Sequence, residues 1–285
     1  MLIDSHCHLP HLPAVLGTLA AVCARAREHG VAGMLSVATT PAELAPMQAA
    51  TAGIPDVWHA AGLHPEAVDA ARAGDLAALE AALLGIADAG VIALGETGLD
   101  YLFDVTPVAP AAPPVAAAES EETRVRVDPV ALRRLQRDAF ALHLEVARRR
   151  DLPVIVHTRG AVADTLDVIR AHPGVRGVIH CFTEDAEAAR AFVGLGFLLS
   201  FSGILTFRNA TALREVAAAM DASMLLVETD APWLAPVPVR GKPNQPAWVA
   251  HTAACLAAAR GVDAATIARL TSANFTRLFG VGPGS

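Results

Sequence analysis

Histidine and carboxylate residues stand at recurring places in this chain, and their spacing points to metal chemistry. His6 and His8 are separated by one residue in Asp4-Ser5-His6-Cys7-His8. In an extended strand alternate side chains share a face, so both imidazoles point one way and Cys7 the other. Two imidazoles side by side at a strand end suit a divalent metal. Other ligand-type groups close other short apolar runs: Glu96 in Gly95-Glu96-Thr97-Gly98, His157 in Ile155-Val156-His157, His180 in Val178-Ile179-His180, and Asp230 in Val227-Glu228-Thr229-Asp230. Together with His6 and His8 these make six ligands, more than one tetrahedral ion needs. Sharing a carboxylate, they suit two ions about 3.5–4 Å apart, a pair that activates a water and stabilises attacking and leaving oxygens. Four imidazoles with two carboxylates favour Zn²⁺ or Mn²⁺ over Ca²⁺, and Mg²⁺ is also compatible. The serine nucleophile signature Gly-x-Ser-x-Gly is absent.

The elements that must position these groups follow from periodicity. Short apolar runs predict strands at Met1–Asp4, Gly33–Val37, Val57–Ala61, Val91–Gly95, Pro153–His157, Gly177–His180, Phe197–Phe201 and Met224–Glu228. They are continuous rather than alternating, as in parallel strands buried on both faces. Helices are predicted over Leu16–His29, Pro41–Ala52, Leu76–Ala89, Val130–Arg150, Val162–Ala171, Asp185–Leu195 and Ala210–Met220, then Pro246–Arg260, Ala264–Leu270 and Ser272–Leu278. Eight strands alternating with helices over 285 residues predict a TIM (β/α)₈ barrel, which typically takes roughly 250. An open doubly wound sheet would carry a Gly-rich phosphate loop after the first strand, and none is present. In a barrel the carboxyl ends of the strands converge on one face, so the six groups meet at one mouth. One segment breaks the rhythm. Phe103–Asp128, rich in Pro and Ala and then acidic, predicts a flexible insertion after the fourth strand, a lid being the alternative. No second-domain boundary is evident, and 1–285 is expected to be one barrel domain.

Composition narrows the partners. The hydrophobic fraction of 53% excludes a disordered chain, and four widely spaced cysteines exclude a disulfide scaffold. The start of the chain has no basic segment before an apolar run, and no apolar run spans a bilayer, so a cytoplasmic protein is expected. A net charge of −7 disfavours a protein that coats long nucleic acid. Cations for a phosphate are therefore local: Arg159, two residues past His157, and Arg240 with the sole lysine, Lys242, in a proline-stiffened loop after Asp230. Solvated loop charge is the alternative for the last two. Ser200-Phe201-Ser202-Gly203 predicts either a backbone anion nest or a tight rim turn. Arg148-Arg149-Arg150 is expected to be surface charge at a helix end. His11, His29, His59, His143, His172 and His251 are expected to be structural or exposed, and Trp233 and Trp248 to be core, base-stacking platforms being the alternative.

These motifs resemble a known family. DSHCHL at 4–9, GLHP at 62–65, GETGLDY at 95–101, LPVIVHTR at 152–159, HCFTED at 180–185, SFSGILTFRNA at 200–210, ETDAPWLAPVPVRGKPNQP at 228–246 and NFTRLFG at 274–280 resemble the TatD family of metal-dependent hydrolases, in particular its bacterial YcfH-type subgroup. The resemblance covers nearly the whole chain. It implies an amidohydrolase-like TIM barrel with a dinuclear centre in which His6, His8 and Asp230 hold one ion, His157 and His180 the other, and Glu96 bridges. It also implies deoxyribonuclease activity of the 3′ exonuclease type. The chain departs from the family pattern between GETGLDY and the Gln136–Phe140 helix, where its linker is about twenty residues longer.

The function expected is a metal-dependent deoxyribonuclease acting on DNA 3′ ends or single strands through a metal-activated water. Asp230 is expected to take its proton, Glu96 to share in catalysis, and His64 and Arg159 to contact the scissile phosphate or leaving group. The chain is expected to act as a monomer with no membrane partner. Two alternatives stand beside this reading. One is hydrolysis of an amide, lactone or aminoacyl ester, as in deacylation of aminoacyl-tRNA. His157, where the lactonase branch has a carboxylated lysine, argues against a lactone. The other is a catalytically idle metal-binding protein.

Overall fold

The computed structural model describes residues 1–68, 75–102 and 128–284. Eight parallel strands form one sheet in the order β1 to β8: β1 Leu2–Cys7, β2 Val31–Ala38, β3 Val57–Ala61, β4 Ala93–Asp100, β5 Val154–Arg159, β6 Gly177–Ile179, β7 Leu198–Phe201 and β8 Leu225–Val227. Between them lie α1 Leu19–Glu28, α2 Leu44–Thr51, α3 Leu76–Asp88, α4 Pro129–Arg150, α5 Val162–Arg170, α6 Ala186–Gly194 and α7 Thr211–Ala219, and α8 Val249–Arg260 and α9 Ala264–Phe279 follow β8. The alternation curls the sheet into a (β/α)₈ barrel and excludes the open sheet. The expected insertion 103–128 lies outside the described residues apart from Asp128. That residue caps α4 by accepting from Val130 N at 3.1 Å, with Pro129 in the first helical position, where its missing N–H costs nothing.

The barrel closes between β1 and β8 through backbone bonds past the end of β8. Asp230 N donates to His6 O at 3.0 Å and His8 N to Ala231 O at 2.8 Å. Lower down, the Ser5 hydroxyl donates to Val227 O at 3.0 Å. The closing seam thus runs through the His6-x-His8 segment and sets Asp230 beside it.

The interior face of the barrel explains which residues reach its mouth. One apolar cluster draws from all eight strands, with Ile155 on β5, Val178 on β6 and Leu226 on β8 among its members, and Phe275, Leu278 and Phe279 of α9 pack into it. The two-residue period of a strand then puts His157, His180 and Glu228 on the same inward face, each two positions further on. On β1 and β4 the pairing register shifts between Asp4 and Cys7 and between Leu94 and Thr97. Such irregularities re-aim side chains at barrel rims. Here they accompany Cys7 in the outer core, its thiol on Leu35 O at 3.4 Å, with His6 and Glu96 at the mouth.

Two expectations about helices are corrected. The separate helices Ala264–Leu270 and Ser272–Leu278 are one, α9. Thr271 does not break it, because its buried hydroxyl bonds Ile267 O one turn back at 2.9 Å. The helix expected from Leu16 starts at Leu19, where the Thr18 side chain caps it by accepting from Ala21 N. Among the described residues no helix is long and apolar enough to cross a membrane.

Candidate metal centre at the barrel mouth

Glu96 is the hub. Its Oε1 lies 2.6 Å from His180 Nε2, 2.9 Å from His157 Nδ1 and 3.2 Å from His64 Nε2. Its Oε2 lies 3.4 Å from His6 Nε2 and 3.8 Å from His8 Nε2. Asp230 Oδ1 completes the ring at 3.4 Å from His8 Nε2 and 3.8 Å from His6 Nε2. All six residues expected at the mouth are therefore brought together, and His64 joins them.

The donor set suits cations. His8 Nδ1 faces the Val37 carbonyl at 2.8 Å, so it carries the proton, and in the neutral ring Nε2 offers a lone pair. That lone pair faces His6 Nε2 at only 3.0 Å. His157 Nε2 faces Asp100 Oδ2 at 3.2 Å, which assigns the proton there and leaves Nδ1 as an acceptor opposite the Glu96 carboxylate. Acceptors pointed at acceptors repel unless a proton or a cation lies between them. His6 Nδ1, by contrast, is buried with no partner. Three overlapping groups have ligand atoms close enough to share an ion: His6, His8 and Asp230; His6, Glu96 and His180; and His64, Glu96 and His157.

With no cation, protons must balance these groups. Burial pushes the Glu96 carboxyl up, but His180, His64 and His157 outweigh it and hold it well below the usual range. Burial pushes His180 down, and Glu96 and Glu228 more than reverse this. His6 stays below its ordinary value through burial and the neighbouring His180 ring, stacked at 4.2 Å. It is thus ready to bind as neutral imidazole.

The surrounding residues fix these ligands, and several carry signals that sequence reasoning passed over. Asp100 is buried and its Oδ1 accepts from Leu102 N at 3.0 Å. Gln136 on α4 brackets the same residue, accepting from Asp100 N at 3.1 Å and donating to Asp100 O at 3.3 Å. The Gln136–Phe140 spacing is thereby explained: Gln136 holds the end of β4 while Phe140 fills the core. Glu228, fully buried, lies 3.3 Å from His180 Nδ1 and accepts from Cys181 N at 2.8 Å. It stands two residues past Leu226 on the inward face, so the strand period alone would have found it. Asp4 accepts from Thr229 N at 2.9 Å and from the Thr229 hydroxyl at 2.6 Å, and burial pushes its carboxyl up to about 8 against those bonds. This clamp orients the turn in which Asp230 adopts a left-handed φ of +54°, a conformation aspartate tolerates better than most residues.

His64 Nδ1 accepts from Glu66 N at 3.1 Å, so its Nε2–H points at Glu96. Behind it the buried ring of His143 accepts from Leu63 N at 3.0 Å and donates to Ala139 O at 2.7 Å, a structural role as expected. His29 and His172 donate to backbone carbonyls one turn back, and His59 bonds the Thr51 hydroxyl at 2.8 Å. Arg159 lies 3.8 Å from Asp100 with its side chain half exposed. The guanidinium of Arg240 stacks over the Phe207 ring at 3.8 Å, and Lys242 is exposed. Among the described residues no ion pair joins either to the cluster. Ser200–Gly203 runs from the end of β7 into a short 3₁₀ helix: Ser200 bonds Ser5 at 2.9 Å, and Ser202 caps the helix that begins at Gly203. Arg149 and Arg150 pair with Glu80 and Asp88 of α3 at the surface. Trp248 is half-buried. Trp233 is a correction: it is not core but 37% exposed, beside His8 and His11 at the mouth.

Comparison with known proteins agrees with this geometry. Residues 3–280 match the family model described as TatD related DNase. The uncharacterized metal-dependent hydrolase YcfH of Escherichia coli K12 is 42% identical over 283 residues, covering 98% of this chain and 95% of that protein. A 3′-5′ ssDNA/RNA exonuclease TatD from Escherichia fergusonii is 32% identical over 270 residues, covering 91% and 92%. The crystal structure of YJJV, a TatD homolog from Escherichia coli K12, superposes with a TM-score of 0.78 at 29% identity, covering 98% of both chains. A match along almost the full length, on a barrel whose mouth gathers imidazoles and carboxylates, places this chain in the TatD-related DNase family of metal-dependent hydrolases.

Proposed function

We propose that the chain is a deoxyribonuclease of the 3′ exonuclease type that hydrolyses DNA phosphodiester bonds with two divalent ions held by its six mouth residues. The observation that carries this reading is the Glu96 carboxylate, with one oxygen toward His157 and His180 and the other toward His6 and His8. In this reading Glu96 bridges, His6, His8 and Asp230 hold one ion, and His157 and His180 hold the other. The imidazole-rich set favours zinc or manganese, with magnesium the harder alternative. When bound, such a pair supplies positive charge that polarises a phosphodiester and lowers the pKa of water.

The chain's own residues do the rest. Asp230 keeps 15% side-chain exposure, which supports a role in taking the proton of the attacking water. Burial pushes its carboxyl up, but His8, His6 and His180 outweigh that and keep it below the usual range, hence ionised at neutral pH. His64, through Nε2–H, and the half-exposed Arg159 contact the scissile phosphate or the leaving group. Arg240 and Lys242 meet phosphates further along the strand. A net charge of −7 fits a DNA end held at this mouth better than long duplex held along a surface.

Residues 1–285 are read as one barrel domain, supported by the family match over 3–280. The chain is read as a monomer in the cytoplasm, where its four unpaired cysteines remain reduced. A substrate panel tests the proposal. Metal-loaded protein should have its highest kcat/KM on single-stranded DNA. A higher value on an aminoacyl or carboxylic ester would overturn it.

A further inference from the structure

We propose that Trp233 is a stacking platform for a nucleobase flanking the scissile phosphate, a placement that rests on the nuclease reading above. Trp233 is a large aromatic left 37% exposed at the rim of a polar cluster. Its indole stands roughly perpendicular to the His8 ring, with centroids 5.1 Å apart and planes at 69°, and to the His11 ring, at 6.0 Å and 79°. His8 and His11 are nearly parallel to each other, 5.7 Å apart. The two imidazoles pack against the indole, and 37% of the residue remains open to solvent.

The platform is fixed relative to the chemistry. Trp233 N donates to Asp230 O at 2.9 Å, so the ring and the carboxylate belong to one turn. The side chain of fully buried Asn244 donates to Trp233 O at 2.7 Å and to Thr229 O at 2.8 Å, locking both ends of that turn. From the other side Gly203 packs so closely that a Cβ there would meet Leu234 O at 2.0 Å. A phosphodiester seated at Glu96 and Asp230 therefore has this aromatic face within reach of an adjoining base. Every base offers a π-face, so stacking on a tryptophan grips single strands without regard to sequence. Such a grip suits a chain whose net charge of −7 gives it little general attraction for polyanions.

A different role for the ring, shielding His8 from water, makes opposite predictions, and one experiment separates them. Metal-loaded protein is given a single-stranded oligonucleotide and the same oligonucleotide made abasic at the two nucleotides flanking the scissile bond. In Trp233→Ala the ratio of kcat/KM on intact over abasic substrate should fall by roughly 5- to 150-fold, the range base–aromatic stacking supports. Trp233→Phe should retain most of that ratio. Binding of the oligonucleotide to the slowed Asp230→Asn protein should quench tryptophan fluorescence, and Trp233→Phe in the same background, which keeps Trp58 and Trp248, should abolish the quench. An unchanged ratio in Trp233→Ala overturns the platform. Equal loss on both substrates with reduced metal content overturns it in favour of shielding. If no oligonucleotide is cleaved by the wild type, the nuclease reading falls, and the quench alone decides whether Trp233 meets nucleic acid.

Discussion

Asp100 Oδ2 lies 3.2 Å from Nε2 of His157, across the ring from the nitrogen that faces Glu96. A carboxylate on the far nitrogen of a metal-binding histidine fixes its tautomer and raises its basicity. Asp100→Asn should therefore lower metal affinity or activity by about 10- to 100-fold while the fold persists. Metal titration of the variant beside its kcat/KM checks this. Wild-type affinity and turnover would leave Asp100 with a packing role alone.

Divalent metal should stabilise the folded chain. The mouth groups converge only in the barrel, so an ion bound there favours the native state by about 2.7 kcal/mol at a hundredfold excess over Kd. Melting with and without Zn²⁺ or Mn²⁺ reads this as a rise in Tm, and chelator should reverse it. Glu96→Gln should reduce the bound metal from two ions per chain to one or none, as measured by elemental analysis.

Acid should destabilise the fold partly through His143. Burial pushes its ring down to about 4, so it stays neutral in the native state where an unfolded chain would take a proton. Between about pH 6.5 and 4 the unfolded state binds more protons, and stability falls with falling pH by about 3 kcal/mol in total. His143→Leu should flatten that part of the profile. It should also cost about 1–3 kcal/mol at neutral pH, because Leu63 N loses its buried acceptor. Urea unfolding across pH measures both, and an unaltered slope in the variant would assign the acid sensitivity elsewhere.

Gly98 should not tolerate a side chain. Its φ is +141°, and a Cβ would stand 2.0 Å from the His157 carbonyl oxygen. Gly98→Ala should lower stability by about 2 kcal/mol or more and displace His157 with it. A Tm within a degree of wild type would contradict the packing of β4 on β5.

Much of this was legible in the chain because a parallel barrel leaves two plain marks: continuous apolar runs, and ligand-type residues just past them. His157 and His180 could be read from their runs alone. The His6-x-His8 pair lies at the end of β1 as its spacing suggests, whereas Glu96 falls inside β4 and not past its end, and the register shifts that set both among their neighbours leave no mark in composition. Asp100 and Glu228 were passed over because each is one acidic residue in a motif that already offered another, Glu96 and Asp230. The strand period puts Glu228 on the inward face, and the closure of the barrel shows which carboxylate faces the cluster and which braces a histidine from behind. Trp233 was misjudged as core for a related reason: its exposure is set by the turn that Asn244 locks, eleven residues away in sequence.

The central claim is metal-dependent cleavage of DNA with Asp230 in the proton-taking role. The most direct measurement is digestion of a 5′-labelled single-stranded oligonucleotide by metal-loaded protein, beside Asp230→Asn and a chelator control. Stepwise shortening from the 3′ end, abolished by chelator and reduced about 10²- to 10⁴-fold in the variant, is the predicted result. An intact oligonucleotide with both metal positions filled, or equal cleavage by Asp230→Asn, would contradict the account.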